Sequence, residues 1–319
     1  MSQDQTSFLD ALLGPGLGRN AKLERIAGLL NWAPIGALAA QVRPGSTGRP
    51  PYAPLAMVKA LLLQQWYGLS DPGLEEALSD RLSFRRFCGF ALDAPTPDET
   101  TICRFRNALA EKGLGEKIFA TVLAQLDAKG MILREGAIID ATLVQAAVNP
   151  PPLDEGAGVK SALDPDADWT RSGPKRVAMF GYKAHVATDQ GTGFIRRAQL
   201  TPAKTAESEV CDAIMPLDVR AVYADKAYEK KERRRRLKEA GVKDRIQHRA
   251  NKHHAITPWQ AARNRLITPL RSAIERTFAV FKRLYGWRRV RYRGLTRNAN
   301  HLMLIACAYN LRKAAKLAA

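Results

Sequence analysis

Residues 136–148, GAIIDATLVQAAV, form an apolar run of β type with a single acid, Asp140, inside it. An ionised carboxylate in such a segment costs on the order of several kcal/mol unless an opposite charge or a metal compensates it. The run therefore has to become a strand, and something has to meet its charge. N-terminal to it, up to about residue 130, the pattern is helical. Leu55, Val58, Leu61, Leu62 and Trp66 recur at helical spacing after Pro54, which predicts a helix with one buried face. Asp71-Pro72 restarts a helix, with proline in the first turn where its missing N–H does no harm. Thr96-Pro97-Asp98-Glu99 reads as a capping box, with Thr96 as the cap and Glu99 reaching back. The helix after it carries Ile102, Phe105 and Leu109 on one side, places Arg104 and Arg106 off that side, and stops at Gly113. Short helices joined by tight turns suit a helix-turn-helix-like DNA-binding unit and a dimerisation unit equally.

C-terminal to Gly130 the periodicity changes. Residues 149–177, with Pro150-Pro151-Pro152 and several Asp and Gly, read as a loop. Residues 181–188 alternate as a strand, Gly191 to Gly193 turn, and 194–200 give a third strand, a hairpin arrangement. A helix over 205–215 follows, then a strand over 219–224 ending at Asp225. A basic helix from about Glu229 to Ala240 closes at Gly241, and 244–248 reads as a fifth short strand. Two helices end the sequence, one over about 259–285 that is either interrupted or started near Pro269, the other from about Asn298. The expected class is α+β or α/β. An all-helical domain over 1–130, for DNA binding or dimerisation, precedes a ribonuclease-H-like mixed sheet flanked by helices over 131–319. In that fold the first and fourth strands are neighbours, so Asp140 and Asp225 converge, although each alone could serve a structural salt bridge.

Charge is distributed unevenly. Residues 219–319 hold 27 Lys and Arg against 6 Asp and Glu, whereas residues 1–218 come to −2, within an overall +19. A basic surface of this size attracts a polyanion through counterion release, and nucleic acid leads over membrane as the partner. No apolar run approaches the roughly 18 residues of a membrane span, and the start lacks signal-peptide character, so a cytoplasmic, nucleoid-associated protein is expected. Cys88, Cys103, Cys211 and Cys307 are far apart and form no metal-binding pair, which leaves free thiols.

Glu275 is the only acid after Asp244. On its helix Arg271, Glu275 and Lys282 form a polar edge beside an apolar face of Leu270, Ile274, Phe278, Phe281 and Tyr285. An Arg271–Glu275 surface pair is the plainer reading, but Glu before the base is the better order for such a pair. Three converging carboxylates need a cation, and a hard divalent ion prefers oxygen ligands. The expected scheme has two Mg²⁺ ions, replaceable by Mn²⁺, with Asp140 shared and Asp225 and Glu275 each completing one ion.

The pieces PPYAPLAMVKALLLQQWYGLSD, TPDETTICRFRNAL, IIDATLV, GYKAHVATD, YADKAY and IERTFAVFKRLYGWRRVRYRG span most of the sequence. Together they resemble the IS5 group of insertion-sequence transposases, within the DDE superfamily. That family's last motif, Tyr-x2-Arg-x3-Glu-x6-Lys, is matched by Arg271, Glu275 and Lys282, with Thr268 at the tyrosine position. The resemblance implies metal-dependent cleavage at terminal inverted repeats of double-stranded DNA. Transfer of the freed 3′-hydroxyl to target DNA would follow, with Arg271 and Lys282 holding phosphates. Synapsis of two ends implies at least a homodimer. Arg276, Arg288, Arg289, Arg291 and Arg293 are further candidate DNA contacts, and Trp287 and Tyr292 interleave with them as stacking candidates. Arg233 to Arg236 read either as a contact surface or as a charged outer face. His253-His254 suits a loop better than a metal site. Trp169 either anchors its loop or stacks on a flipped base. A nuclease that cuts without integration and a non-catalytic DNA-binding derivative are the alternatives.

Overall fold

Asn20, whose side chain accepts from the backbone of Lys22 and Leu23, caps the first of the helices seen in this computed structural model, which describes residues 16–42, 51–152, 160–172, 177–250 and 255–318. The helices of the N-terminal part are α1 (Ala21–Leu29), α2 (Ala33–Ala39), α3 (Pro54–Tyr67), α4 (Asp71–Asp80), α5 (Leu82–Cys88), α6 (Glu99–Glu111) and α7 (Leu114–Ala128). Helix α3 is buried nearly all round, from Ala56 to Trp66 except Lys59, rather than on one face. A helix apolar on every side is a central helix. The cap of α6 is Asp98, not Thr96: its carboxylate accepts from Thr101 N–H at 2.6 Å, and Glu99 is the first helical residue. Either residue type caps well. The choice fell on the residue after Pro97, and Glu99 N–H is taken by Glu75 at 2.8 Å. Arg106 also departs from expectation. It is buried, gripping Asp71 with both terminal nitrogens at 2.5 and 2.8 Å, and Gln64 shares that carboxylate at 2.7 Å. The pair ties α4 to α6.

The sheet domain contains β1 (Ala137–Gln145), β2 (Asp168–Ser172), β3 (Val177–Asp189), β4 (Ile195–Pro202), α8 (Glu207–Ile214) and β5 (Ala221–Ala224). A single 3-10 turn (Lys226–Tyr228), α9 (Lys231–Glu239), β6 (Lys243–Ile246), α10 (Pro258–Arg271), α11 (Ala273–Leu284) and α12 (Leu295–Leu317) complete it. Strand order is β2-β3-β1-β5-β6, with β4 also paired to β3. β1, β3 and β4 are antiparallel, and β5 and β6 join parallel. This is a helical region followed by a mixed sheet flanked by helices, the ribonuclease-H-like arrangement.

Strand β2 lies where a loop was expected. Its pattern is too short to read locally, and it exists because β3 extends N-terminally to Val177 and offers an edge, with Trp169 paired to Phe180. At Gly181, β3 is flanked by both β1 and β2, and a Cβ there would stand 2.2 Å from the Val144 carbonyl. Within the remaining loop, buried Asp164 accepts from the Tyr182 hydroxyl at 2.6 Å and the Gly294 amide at 3.1 Å. Asp166 accepts from Leu295 N–H at 2.8 Å, an anion at the start of α12. One cluster of apolar side chains packs α8, α9 and the 3-10 turn onto the sheet through Ile139, Val210, Ile214, Val222, Tyr228 and Leu237.

By compactness the chain divides into one unit running up to Lys129 and resuming at Met303, and another comprising Gly130–Leu302. Helix α12 thus ends in the helical unit, where the sequence reading kept 131–319 together. Among the described residues no helix is long and apolar enough to cross a membrane, and all four cysteines are free thiols. His253-His254 lies outside the described residues.

Candidate active site

The site begins with a difference in strand length. β5 pairs with β1 only at Ala137↔Val222, Ile138↔Tyr223 and Ile139↔Ala224. β1 continues to Gln145, where the same edge meets Arg289 in a parallel bridge, closed by Gln145 N–H to the Arg288 carbonyl (3.0 Å) and Val290 N–H to the Gln145 carbonyl (2.8 Å). Between β5 and that bridge no strand pairs with this edge of β1 over 140–144, about 15 Å at roughly 3.3 Å per residue. Ala141 N–H, which would otherwise reach a neighbouring strand, is taken by the Asp140 carboxylate at 2.9 Å. Since Ile139 pairs with Ala224, the next residues on the two strands are Asp140 and Asp225. A cavity of about 350 Å³ opens beside this stretch, lined by Ala141, Thr142, Arg171, Lys183, Glu207 and Lys282 among others.

Asp140 is mostly buried, and Arg271 Nη1 donates to its Oδ2 at 2.8 Å. Burial pushes its carboxyl up to about 6; the Ala141 amide and Arg271 oppose this, while Glu207 and Asp225 add to it. Asp225, half-buried, caps the 3-10 turn through the amide of Lys226. The sequence-assigned partner Arg271 is therefore in the site, but on Asp140 rather than beside Glu275.

Glu275 is exposed in the first turn of α11, and the charges that act most on Asp140 are Arg271, Glu207 and Asp225. Arg276 is exposed beside it. Lys282 faces the cavity, and burial followed by repulsion from Arg288 lowers its ammonium below the usual range. Thr268, at the family's tyrosine position, accepts from Gln247 at 2.8 Å and donates to the Asn264 carbonyl, linking α10 to the end of β6.

Glu207 escaped the sequence reading. It opens α8, and burial raises its carboxyl, opposed by Lys183 and reinforced by Asp225. In the sequence it looks like Glu209, another first-turn acid suited to the helix dipole, and only burial separates the two. Arg233, read from sequence as a charged face or contact, is buried. It donates to Asp212 at 3.0 and 2.8 Å, to the Ser208 carbonyl at 2.6 Å and to the Tyr228 carbonyl. It thereby bolts the first turn of α8 to the turn that follows Asp225. Trp287 is core, packed on Phe281 and His301 at 5.8 and 6.3 Å, which removes it as a stacking platform. Trp169 packs on Phe180 at 5.5 Å, an anchor for β2. Arg288, Arg289 and Arg293 are exposed, and Arg291 is half-buried.

An acid within β1 and an acid directly after β5, side by side on a ribonuclease-H-like sheet and faced by cations, are the arrangement that suits a nucleotidyl transferase. Residues 133–311 match the family model described as Transposase DDE domain, and residues 15–108 match Transposase domain (DUF772). The chain belongs to the DDE transposase family: it is a DNA-binding transposase, of a family that generally uses divalent metals. No solved structure matches it. The donor set fits such an ion, because Glu207 and Asp225 act on Asp140 as like charges and Asp225 acts likewise on Glu207. As placed, no three His, Cys, Asp or Glu side chains among the described residues already close a metal site.

Proposed function

We propose that the chain is an insertion-sequence transposase of the IS5 group that cuts at terminal inverted repeats and joins the freed 3′-hydroxyl to target DNA. The register that sets Asp140 beside Asp225, where the pairing of β1 with β5 ends, carries this reading. Asp140, Asp225 and Glu275 are the residues that would hold the two Mg²⁺, Glu275 from its exposed turn. Bound there, the ions supply activation of the attacking oxygen and stabilisation of the leaving one. Asp140, with its carboxyl at about 6, is ionised at neutral pH and ready to act as a ligand. Arg271 holds Asp140, and its planar fork is equally suited to a phosphate. Lys282, Arg276, Arg288, Arg289, Arg291 and Arg293 supply the remaining phosphate contacts. The working form on DNA is a homodimer in the bacterial cytoplasm, since two element ends have to meet.

The test is a labelled terminal-repeat duplex incubated with target plasmid and Mg²⁺. Joined product is expected, and Asp140→Ala should abolish cleavage while retaining DNA binding. Cleavage without joining would reduce the protein to a nuclease, and cleavage by Asp140→Ala would remove the site.

A further inference from the structure

We propose that Glu207 is a carboxylate ligand of the divalent-cation site formed by Asp140 and Asp225, and that the buried Tyr228 hydroxyl orients it. The inference rests on the metal-dependent reading above and adds an acid which that reading does not use. Glu207 is the first residue of α8, directly after β4, and Lys183 and Thr142 line the same cavity. Lys183 does not saturate it. The ammonium donates to the Thr205 carbonyl at 2.9 Å and stays 3.7 Å from the Glu207 carboxylate, beyond a normal hydrogen bond.

Tyr228 is an independent observation. Its side chain is fully buried, yet its hydroxyl has no hydrogen-bond partner among the described residues. After burial, the groups that act on it most are Glu207 and Asp140, with Asp225 also contributing. A buried hydroxyl without a partner has given up water and gained nothing in return. An arrangement in which a carboxylate turns towards it, as on gathering around a cation, recovers that loss. Arg233 fixes the distance between the two, holding Ser208 and Tyr228 by their carbonyls. Glu207 and Tyr228 are therefore pinned relative to each other, while the glutamate's own torsions leave the carboxylate free to move. Divalent ions of this kind take a few carboxylates and complete their shell with water and phosphate oxygens. Nothing in that chemistry limits the acids to those on β1, β5 and α11.

The probe is Mn²⁺, titrated calorimetrically into the full-length metal-free protein, with melting recorded with and without the ion. Glu207→Gln should bind Mn²⁺ about 10–100-fold more weakly, the range seen when a metal shell is disturbed. It should melt like the wild type without metal and lose the Mn²⁺-induced rise. Glu207→Ala should lose the same affinity, and Tyr228→Phe a smaller part. Wild-type Mn²⁺ affinity in Glu207→Gln and Glu207→Ala, alongside weakened binding in Asp140→Asn, would overturn the role of Glu207 and leave the transposase site standing. Unweakened binding in Asp140→Asn would bring down the underlying reading as well.

Discussion

Two stretches of the basic C-terminal third look alike as charge and differ as structure. In Arg233 to Arg236 the first two guanidiniums point inward. Arg233 is buried against Asp212, Ser208 and Tyr228; Arg234 meets Asp244, Glu229 and His248. In the stretch from Trp287 to Arg293 the arginines at 288, 289 and 293 are exposed, and the buried members are Trp287 and Val290. One cluster holds the fold together and the other is surface available to a polyanion. The difference lies in acids brought from elsewhere: Asp212 and Glu229 are supplied by neighbouring elements to the first, and no ion pair to an acid is seen for Arg288, Arg289 or Arg293 among the described residues.

Substitution should separate the clusters sharply. Arg233→Met leaves two carbonyls without this donor and Asp212 with Arg236 alone, and should cost roughly 3 kcal/mol in denaturant unfolding. A loss under about 1 kcal/mol would show that the bolt is dispensable.

The same comparison extends to cations buried without an acid. His185 is fully buried, with Thr201 at 2.9 Å, and burial followed by Lys183 lowers its imidazole to about 4. Between about 6.5 and 4 the unfolded chain takes a proton that the native state refuses. Stability therefore falls as pH falls through that window, by up to roughly 3 kcal/mol. Asp140 runs the other way: with its carboxyl raised to about 6, the native state holds a proton that the unfolded chain releases down to about 4, so acidification stabilises. In metal-free protein the two oppose each other. His185→Gln should tilt the profile towards gain on acidification and Asp140→Asn towards loss, and parallel profiles for the two variants would contradict both assignments.

For the exposed cluster the measure is salt rather than stability. Replacing Arg288 and Arg293 by Ala should leave unfolding within about 0.5 kcal/mol. It should also flatten the dependence of DNA affinity on salt by about 1.8 in log–log slope, near tenfold between 50 and 200 mM. An unchanged slope would place these arginines outside the DNA path. The smallest effect belongs to Arg235, exposed in an i, i+4 pair with Glu239 at 3.5 Å. Arg235→Ala should change stability by less than about 0.5 kcal/mol, and a larger loss would make the outer face of α9 part of the bolt.

The sequence alone determined the elements that rest on local periodicity. The apolar run around Asp140, the hairpin from Gly181, the strand ending at Asp225 and the helices around Pro258 and Leu295 all repeat a pattern within one segment, and local sterics and burial suffice to set them. Asp140 and Asp225 were legible because a strand order fixes neighbours. The tertiary structure decided whatever depends on partners distant in sequence. Strand β2 exists through the extension of β3; Arg106, Arg233 and Trp287 are interior because of Asp71, Asp212 and Phe281. Glu207 is set apart from Glu209 only by where α8 packs. A charge or a ring carries no local sign of its own burial, because desolvation and compensation are set by the whole surrounding structure. The run around Asp140 announced that a cation had to meet it. Only the fold showed that Arg271 meets it, beyond the point where the pairing of β1 with β5 stops.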